Sequence, residues 1–145
     1  MSLPKPLPGL VISYAYLWVS EHGDGMEEGR KDRPCAIVTA RQLIEGREVV
    51  TVVPVTHSPP SDPADAVEIP AAIKRHLGLD DQRSWIVATE TNDFLWPGPD
   101  LRPLPGKRPP QFSYGMLPPR FFNHLREKLL EAHKLGQLER VRRSE

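Results

Sequence analysis

The stretch RPCAIVTARQLIEGREVVTVVPVTH, residues 33–57, decides how the chain is read. Two runs rich in valine, isoleucine and threonine, residues 35–39 and 48–56, flank a turn region containing Gly46. β-Branched side chains are stiff at χ1 and pack well on a pleated surface. The pair is therefore expected to be an antiparallel hairpin turning at the glycine. Elsewhere the 17 prolines cut the chain into short pieces that suit strands and turns better than long helices.

Upstream of the hairpin lies LVISYAYLWV, residues 10–19. With a period of two, Ile12, Tyr14, Tyr16 and Trp18 fall on one face and Val11, Ala15 and Leu17 on the other, as in a strand buried on both sides. Residues 20–32, SEHGDGMEEGRKD, hold three glycines and no apolar periodicity. They form a loop longer than an ordinary strand connection, expected to be mobile in the free protein.

Downstream, a proline-rich stretch at residues 58–65 precedes a short strand at 66–69. Pro70 opens a brief helix ending near Gly78, and a strand follows at 84–89. Residues 92–111 carry too many prolines for a central strand and read as a loop with edge pieces, before a last strand at 112–116. The clearest helix spans 118–135, with Gly136 to end it. Its stripe of Phe121, Phe122, Leu125, Leu129 and Ala132 has helical spacing and belongs against a sheet. Residues 1–8 are expected to be flexible and the basic segment 137–145 to fray. Strands in series with one crossover helix and one terminal helix predict a mainly β, α+β domain: a small barrel with a helix docked on it.

Composition narrows the function classes. With 145 residues, 39% apolar and 26% charged, the chain has an ordinary globular balance and the length of one domain. The apolar run at 10–19 is about half the ~20 residues a membrane span requires, and its proline-rich leader makes a poor signal peptide, so a cytoplasmic protein is expected. A single cysteine, Cys35, excludes an internal disulfide, and its apolar setting marks a buried, inert thiol. The formal net charge is zero, so any nucleic-acid site has to be a local patch. Residues 59–100 are mostly acidic and 120–143 carry an excess of Lys and Arg. There is no P-loop, dinucleotide fingerprint, GxSxG or HExxH, so no cofactor is expected. His124 and His133 lie about 180° apart on a helix, and no histidine has a second ligand at metal-binding spacing, so no metal is expected either.

Four segments in order resemble the MazF/PemK-like family of toxin endoribonucleases. They are EEGRKDRPCAIVTA at 27–40, VVTVVPVTH at 49–57, SWIVATETNDFLW at 84–96 and PPRFFNHLREKLL at 118–130. The resemblance implies an SH3-like barrel of the MazF/PemK/CcdB type with a C-terminal helix. It further implies a homodimer that cleaves single-stranded RNA sequence-selectively and without metal, leaving 2′,3′-cyclic phosphate and 5′-hydroxyl ends, and that a cognate antitoxin inhibits. The family's arginine and threonine correspond to Arg33 and Thr56. His22 lies in the long loop where some relatives carry a histidine, and Glu90 stands where PemK-like toxins have an aspartate. Either can serve as the base, and Glu90 can also orient Arg33. Ala88 occupies a position that is arginine in some members.

The chemistry agrees with those residue types. Attack by a neighbouring ribose 2′-hydroxyl needs no enzyme nucleophile, only an in-line pose and positive charge where the phosphorane gathers electrons. A planar guanidinium offers forked donors to phosphate oxygens, and a strand threonine holds its hydroxyl in few rotamers. Arg30, Lys31, Arg102, Lys107 and Arg108 can track the RNA backbone, while Phe94 and Trp96 can stack on bases. His57, one residue beyond Thr56, counts with these RNA-binding candidates, and reads as a solvated loop histidine more readily than as a base. The bland reading makes Arg33 a loop arginine, Glu90 a surface carboxylate and the two aromatics barrel-rim packing. Two other functions fit a barrel of this kind, a catalytically weakened poison of a protein target or an RNA-binding module, because fold does not fix function.

Overall fold

In a computed structural model of the chain, the structure describes residues 3–23, 25, 31–43 and 45–143. The hairpin is present. β2 (Arg33–Gln42) pairs antiparallel with β3 (Glu48–Thr56), from Cys35 opposite Pro54 to Gln42 opposite Glu48, with an irregular step between Ile37 and Thr39. β1 (Leu10–Tyr14) lies on the other edge of β2, and β7 (Ser113–Met116) lies beyond β1.

β3 divides its free edge between two partners. Val49 to Val52 pair with β6 (Glu90–Leu95), whereas Val55 and Thr56 pair with β5 (Trp85–Val87), which in turn carries β4 (Ala66–Glu68). The partner changes around Pro54, and a residue with no N–H to donate suits a break in a ladder. β8 (Glu139–Arg142) adds to β6 in parallel. The result is an eight-stranded, mainly antiparallel sheet with helices, the α+β class expected. The expected closure into a barrel is not found: among the described residues no ladder joins β7 to β4 or β8. The sheet forks at β3 and leaves its outer strands apart.

Both faces are covered. Val11, Ala36, Val53 and Val55 face the helical side, where α3 (Pro119–Lys134) buries Leu125, Leu129 and Ala132 and α2 (Ala71–Leu77) adds Leu77. Each buried leucine there contributes about 1.5–3 kcal/mol. On the opposite face Ile12, Tyr14, Tyr16, Cys35, Ile37, Val50, Val52 and Phe94 form a second cluster. The alternation in residues 10–18 thus persists in space, although β1 itself stops at Tyr14. Gly78 ends α2 at φ 70°, a left-handed cap that a residue with Cβ adopts only with strain. Among the described residues no helix is long and apolar enough to cross a membrane.

Three expectations change. Val19–Gly23, spanning the end of the expected strand and the start of the expected loop, is a short helix, α1, while residues 24 and 26–30 lie outside the described residues. The start of the proline-rich segment is β6, because Asn92 is buried and satisfied: its Oδ1 accepts from Leu17 N at 2.9 Å and its Nδ2 donates to Leu17 O at 2.8 Å. The basic tail, expected to fray, supplies β8 and inserts Arg143 into the fold. Arg143 Nη1 donates to Ala15 O at 2.8 Å and Asn92 Oδ1 at 3.2 Å, and Nη2 pairs with Asp100 Oδ2 at 2.9 Å. The guanidinium also sits over the Tyr14 ring, 5.5 Å from its centroid.

Breaking a buried ion pair from one side leaves the other charge unpaired, which typically costs about 3–5 kcal/mol. Arg143→Ala is expected to lower the unfolding free energy by that order in denaturant titrations. The exposed neighbour variant Arg142→Ala should stay within about 0.5 kcal/mol of wild type. Equal stabilities for the two variants would show that Arg143 anchors nothing.

Candidate functional site

Where β2 begins and β3 ends lies a cleft of ≈ 1060 Å³, bounded by the end of α2 on one side and β7 on another. Arg33, Thr56, His57, Asp80, Lys107 and Tyr114 are among the side chains that line it. Arg33 is the first residue of β2 and lies opposite Tyr14 of β1. Its Cζ is 4.8 Å from the centroid of the Trp18 ring, which is itself braced edge-on by Tyr16 at 5.2 Å. Nη1 donates to Val55 O at 3.3 Å, tying the guanidinium to the residue before Thr56. Nε is buried with no protein acceptor among the described residues. A cation held flat on an indole and hydrogen-bonded on one edge has a fixed plane.

Thr56 closes β3 opposite Trp85. Its Oγ1 accepts from Ser58 N at 3.1 Å, a local turn that fixes the oxygen and leaves the hydroxyl proton to donate elsewhere. His57 then turns out of the strand, and its Nε2 lies 2.8 Å from Asp80 Oδ2. Asp80 Oδ1 accepts from Lys74 Nζ at 2.7 Å and from Gln82 N at 3.1 Å. Burial pushes the Asp80 carboxyl up, but the bonds from Lys74, His57 and Gln82 outweigh it and hold the group below the usual aspartate range. Lys74 is only 5% exposed and also donates to Ser84 Oγ at 2.8 Å and to Gln82 O.

Of the remaining residues singled out in the sequence, Lys31 and Lys107 line the cleft and are exposed. Arg102 stands outside the lining, 3.8 Å from each of Asp32 and Asp100, and Arg108 is exposed outside it. His22 is exposed on α1, outside the lining as well. Arg30 lies outside the described residues.

Phe94 is core: its ring stacks on Tyr14 at 4.5 Å, and Trp96 packs beside it at 6.1 Å. Neither lines the cleft, and Trp96 is half-buried beside the Phe94 core. Glu90 also points away from the cleft, accepting from Tyr16 Oη at 3.1 Å and Val19 N at 3.0 Å. It fastens the start of α1 to β6 rather than orienting Arg33. Ala88 is fully buried among Val53, Val55 and Ile86. Cys35 is wholly buried too, and burial drives its thiol well above the ordinary range, as expected of an inert cysteine.

Sequence reasoning missed Asp80, Lys74 and Tyr114 as site residues and placed Trp18 only as one side of an alternating strand. Asp80 lies 23 residues from His57 with nothing in the intervening pattern to join them. Among the described residues no three His, Cys, Asp or Glu side chains gather as metal ligands would. The polar groups of the cleft include cations, hydroxyls and a carboxylate–imidazole pair. No protein-family model matches the chain, and no curated protein matches its sequence.

Glu90 yields a pH prediction. Burial raises its carboxyl above the usual glutamate range, and the bonds from Val19 and Tyr16 offset this only in part. An acid with a raised folded pKa stabilises fully below its unfolded value, roughly 4.3, and that stabilisation is lost as pH rises through the folded value. Glu90→Gln keeps an acceptor but cannot ionise. Its unfolding midpoint should exceed that of wild type near pH 7, with the gap closing toward about pH 4; a gap independent of pH would refute the assignment.

Proposed function

We propose that the chain is a MazF/PemK-like endoribonuclease, the toxin of a toxin–antitoxin pair, cutting single-stranded RNA without a metal ion. The observation that carries this reading is that Arg33 and Thr56, taken from separate segments, line one cleft and are joined through the Arg33–Val55 bond. The forked sheet is then an open relative of the SH3-like barrel.

In this reading the scissile phosphate lies against the Arg33 guanidinium, with Trp18 behind its plane. The 2′-oxygen bonds to phosphorus as the P–O5′ bond breaks, giving a cyclic phosphate and a 5′-hydroxyl. Arg33 and the Thr56 hydroxyl donate to the oxygens on which charge gathers. Lys31 and Lys107 supply local positive charge for the RNA backbone in a chain of zero net charge. An antitoxin segment rich in carboxylates would occupy the same guanidinium in place of phosphate. Exposed Leu7, Met116, Leu130 and Leu135 offer apolar surface for pairing two copies; sedimentation showing only monomer at micromolar concentration would remove that part.

One observation favours the competing reading, an RNA-binding or target-poisoning module that does not cut. No second arginine lines the cleft among the described residues, and Ala88 is core. RNA incubated with the protein in EDTA separates the readings. Cleavage is expected, DNA should survive, and Thr56→Ala should lose ~10²–10³ in rate with Arg33→Ala losing at least as much. Thr56→Ser should retain far more activity, while Arg33→Lys keeps the charge but not the fork and should lose heavily. Unfolding midpoints of these variants should stay near wild type. RNA of varied sequence left intact by wild type, or normal cutting by folded Arg33→Ala, would overturn the proposal. Salt-sensitive binding without product would establish the binding module instead.

A further inference from the structure

We infer that His57 is the general base of the cleft, and that Asp80 and Lys74 are positioning residues that fix its tautomer and its place at the end of β3. The inference rests on the endoribonuclease reading and names the proton acceptor which that reading leaves open.

Had β3 continued past Thr56, alternation would send His57 to the opposite face of the sheet. The strand stops at Thr56, and both residues line the cleft. His57 Nε2 is 2.8 Å from a carboxylate oxygen of Asp80. An ionised carboxylate only accepts, so in the neutral ring the bond puts the proton on Nε2 and leaves the lone pair on Nδ1. The direction of the Asp80 shift agrees with an ionised partner.

Stability does not explain the arrangement. The His57 and Asp80 side chains are 49% and 47% exposed, and exposed pairs of this kind contribute little to folding. Lys74 is the more telling residue. Lysine is rarely this buried, and an apolar side chain of similar length would serve packing as well or better. Its acceptors, Asp80 Oδ1, Ser84 Oγ and Gln82 O, all belong to the segment that presents Asp80 to His57. The buried ammonium thus holds that segment in one geometry and keeps Asp80 charged. Neither Glu90 nor His22 competes for the role, since both lie outside the cleft.

The step balances without any further reagent. Nδ1 takes the proton of the 2′-hydroxyl as the O2′–P bond forms and the P–O5′ bond breaks. The departing 5′-oxygen takes a proton from water, and the hydroxide so formed recovers the proton from the imidazolium. The charged or titratable groups that share the cleft with the ring, among the described residues, are Asp80 with Lys74 behind it, Lys31, Asp32 and Arg33 at the start of β2, Asp65 of the short 3₁₀ turn before β4, Lys107 of the loop before β7, and Tyr114 of β7.

The test measures kcat/KM against pH on a single-stranded RNA oligonucleotide, and on the same oligonucleotide with a 5′-bridging sulfur at the scissile bond. A thiolate departs without protonation, so the sulfur substrate bypasses a general acid but not a general base. Wild-type activity should rise with pH along a limb that His57→Ala abolishes. His57→Ala should lose ~10²–10⁴ on both substrates, and added imidazole should restore part of it. Asp80→Asn should lower kcat on both substrates with KM little changed, and Asp80→Glu should recover part of the loss, as expected of a residue that positions the ring. Circular dichroism checks folding, with His57→Gln as a second variant.

Full restoration of His57→Ala by the sulfur substrate would make His57 an acid and overturn the assignment. Normal cutting of ordinary RNA by folded His57→Ala, with Arg33→Ala inactive, would overturn it and leave the endoribonuclease reading standing. Wild type that cuts neither substrate would overturn both.

Discussion

The division of one edge of β3 between β6 and β5 is the constraint on which the rest of the molecule depends. A strand has two hydrogen-bonding edges, and β3 gives one to β2 from Glu48 to Pro54. Its first half then carries β6 and, through it, the C-terminal β8, while its last two residues carry β5 and β4. A sheet split in this way diverges beyond the fork. The cleft lies at the end of β3 that carries β5, with Val55 and Thr56 lining it and Arg33 of the neighbouring strand beside them.

Burial on both faces makes the split tolerable. Val53 and Val55 pack toward the helices, Val50 and Val52 toward the aromatic cluster, and a register slip by one residue would send each set to the wrong side. The polar groups of the interior are organised around the same need for a single arrangement. Asn92 bridges both backbone groups of Leu17, and Arg143 gathers Ala15, Asn92 and Asp100 about one guanidinium. Those contacts hold the connection after β1 in place, including Trp18, on which the Arg33 side chain rests. Arg143, outside the cleft lining, therefore supports the stacking partner of the proposed catalytic arginine.

Two buried or half-buried cations serve different ends. Arg143 is matched by a nearly buried carboxylate and three further oxygens, as a charge in a low-dielectric interior must be. Arg33 has a weaker set, one carbonyl and an indole face, and retains a buried Nε without a protein acceptor among the described residues. That contrast separates a guanidinium whose donors the interior satisfies from one that the described residues satisfy only in part. The chain of Lys74, Asp80 and His57 extends the second kind of chemistry from the interior to the cleft.

Local pattern in the sequence determined the hairpin, the two-sided burial of residues 10–18, the helix with its Leu125 and Leu129 stripe, and the inert Cys35. In each case, side chains at a period of two or 3.6 report which face is apolar whatever the partner. Arg33 and Thr56 were legible as a pair only through resemblance and residue chemistry. Tertiary structure alone decided that the sheet forks rather than closes, since closure depends on how strands far apart in sequence pair. It alone turned the basic tail into a strand that ends in a buried arginine, because what makes Arg143 an interior residue is the proximity of Asp100 and Ala15, not any local pattern. It also moved Phe94 and Glu90 away from the cleft and brought Asp80 to His57. Those placements depend on long-range distances that no periodicity encodes, so a polar residue's role was readable only once its partners were known.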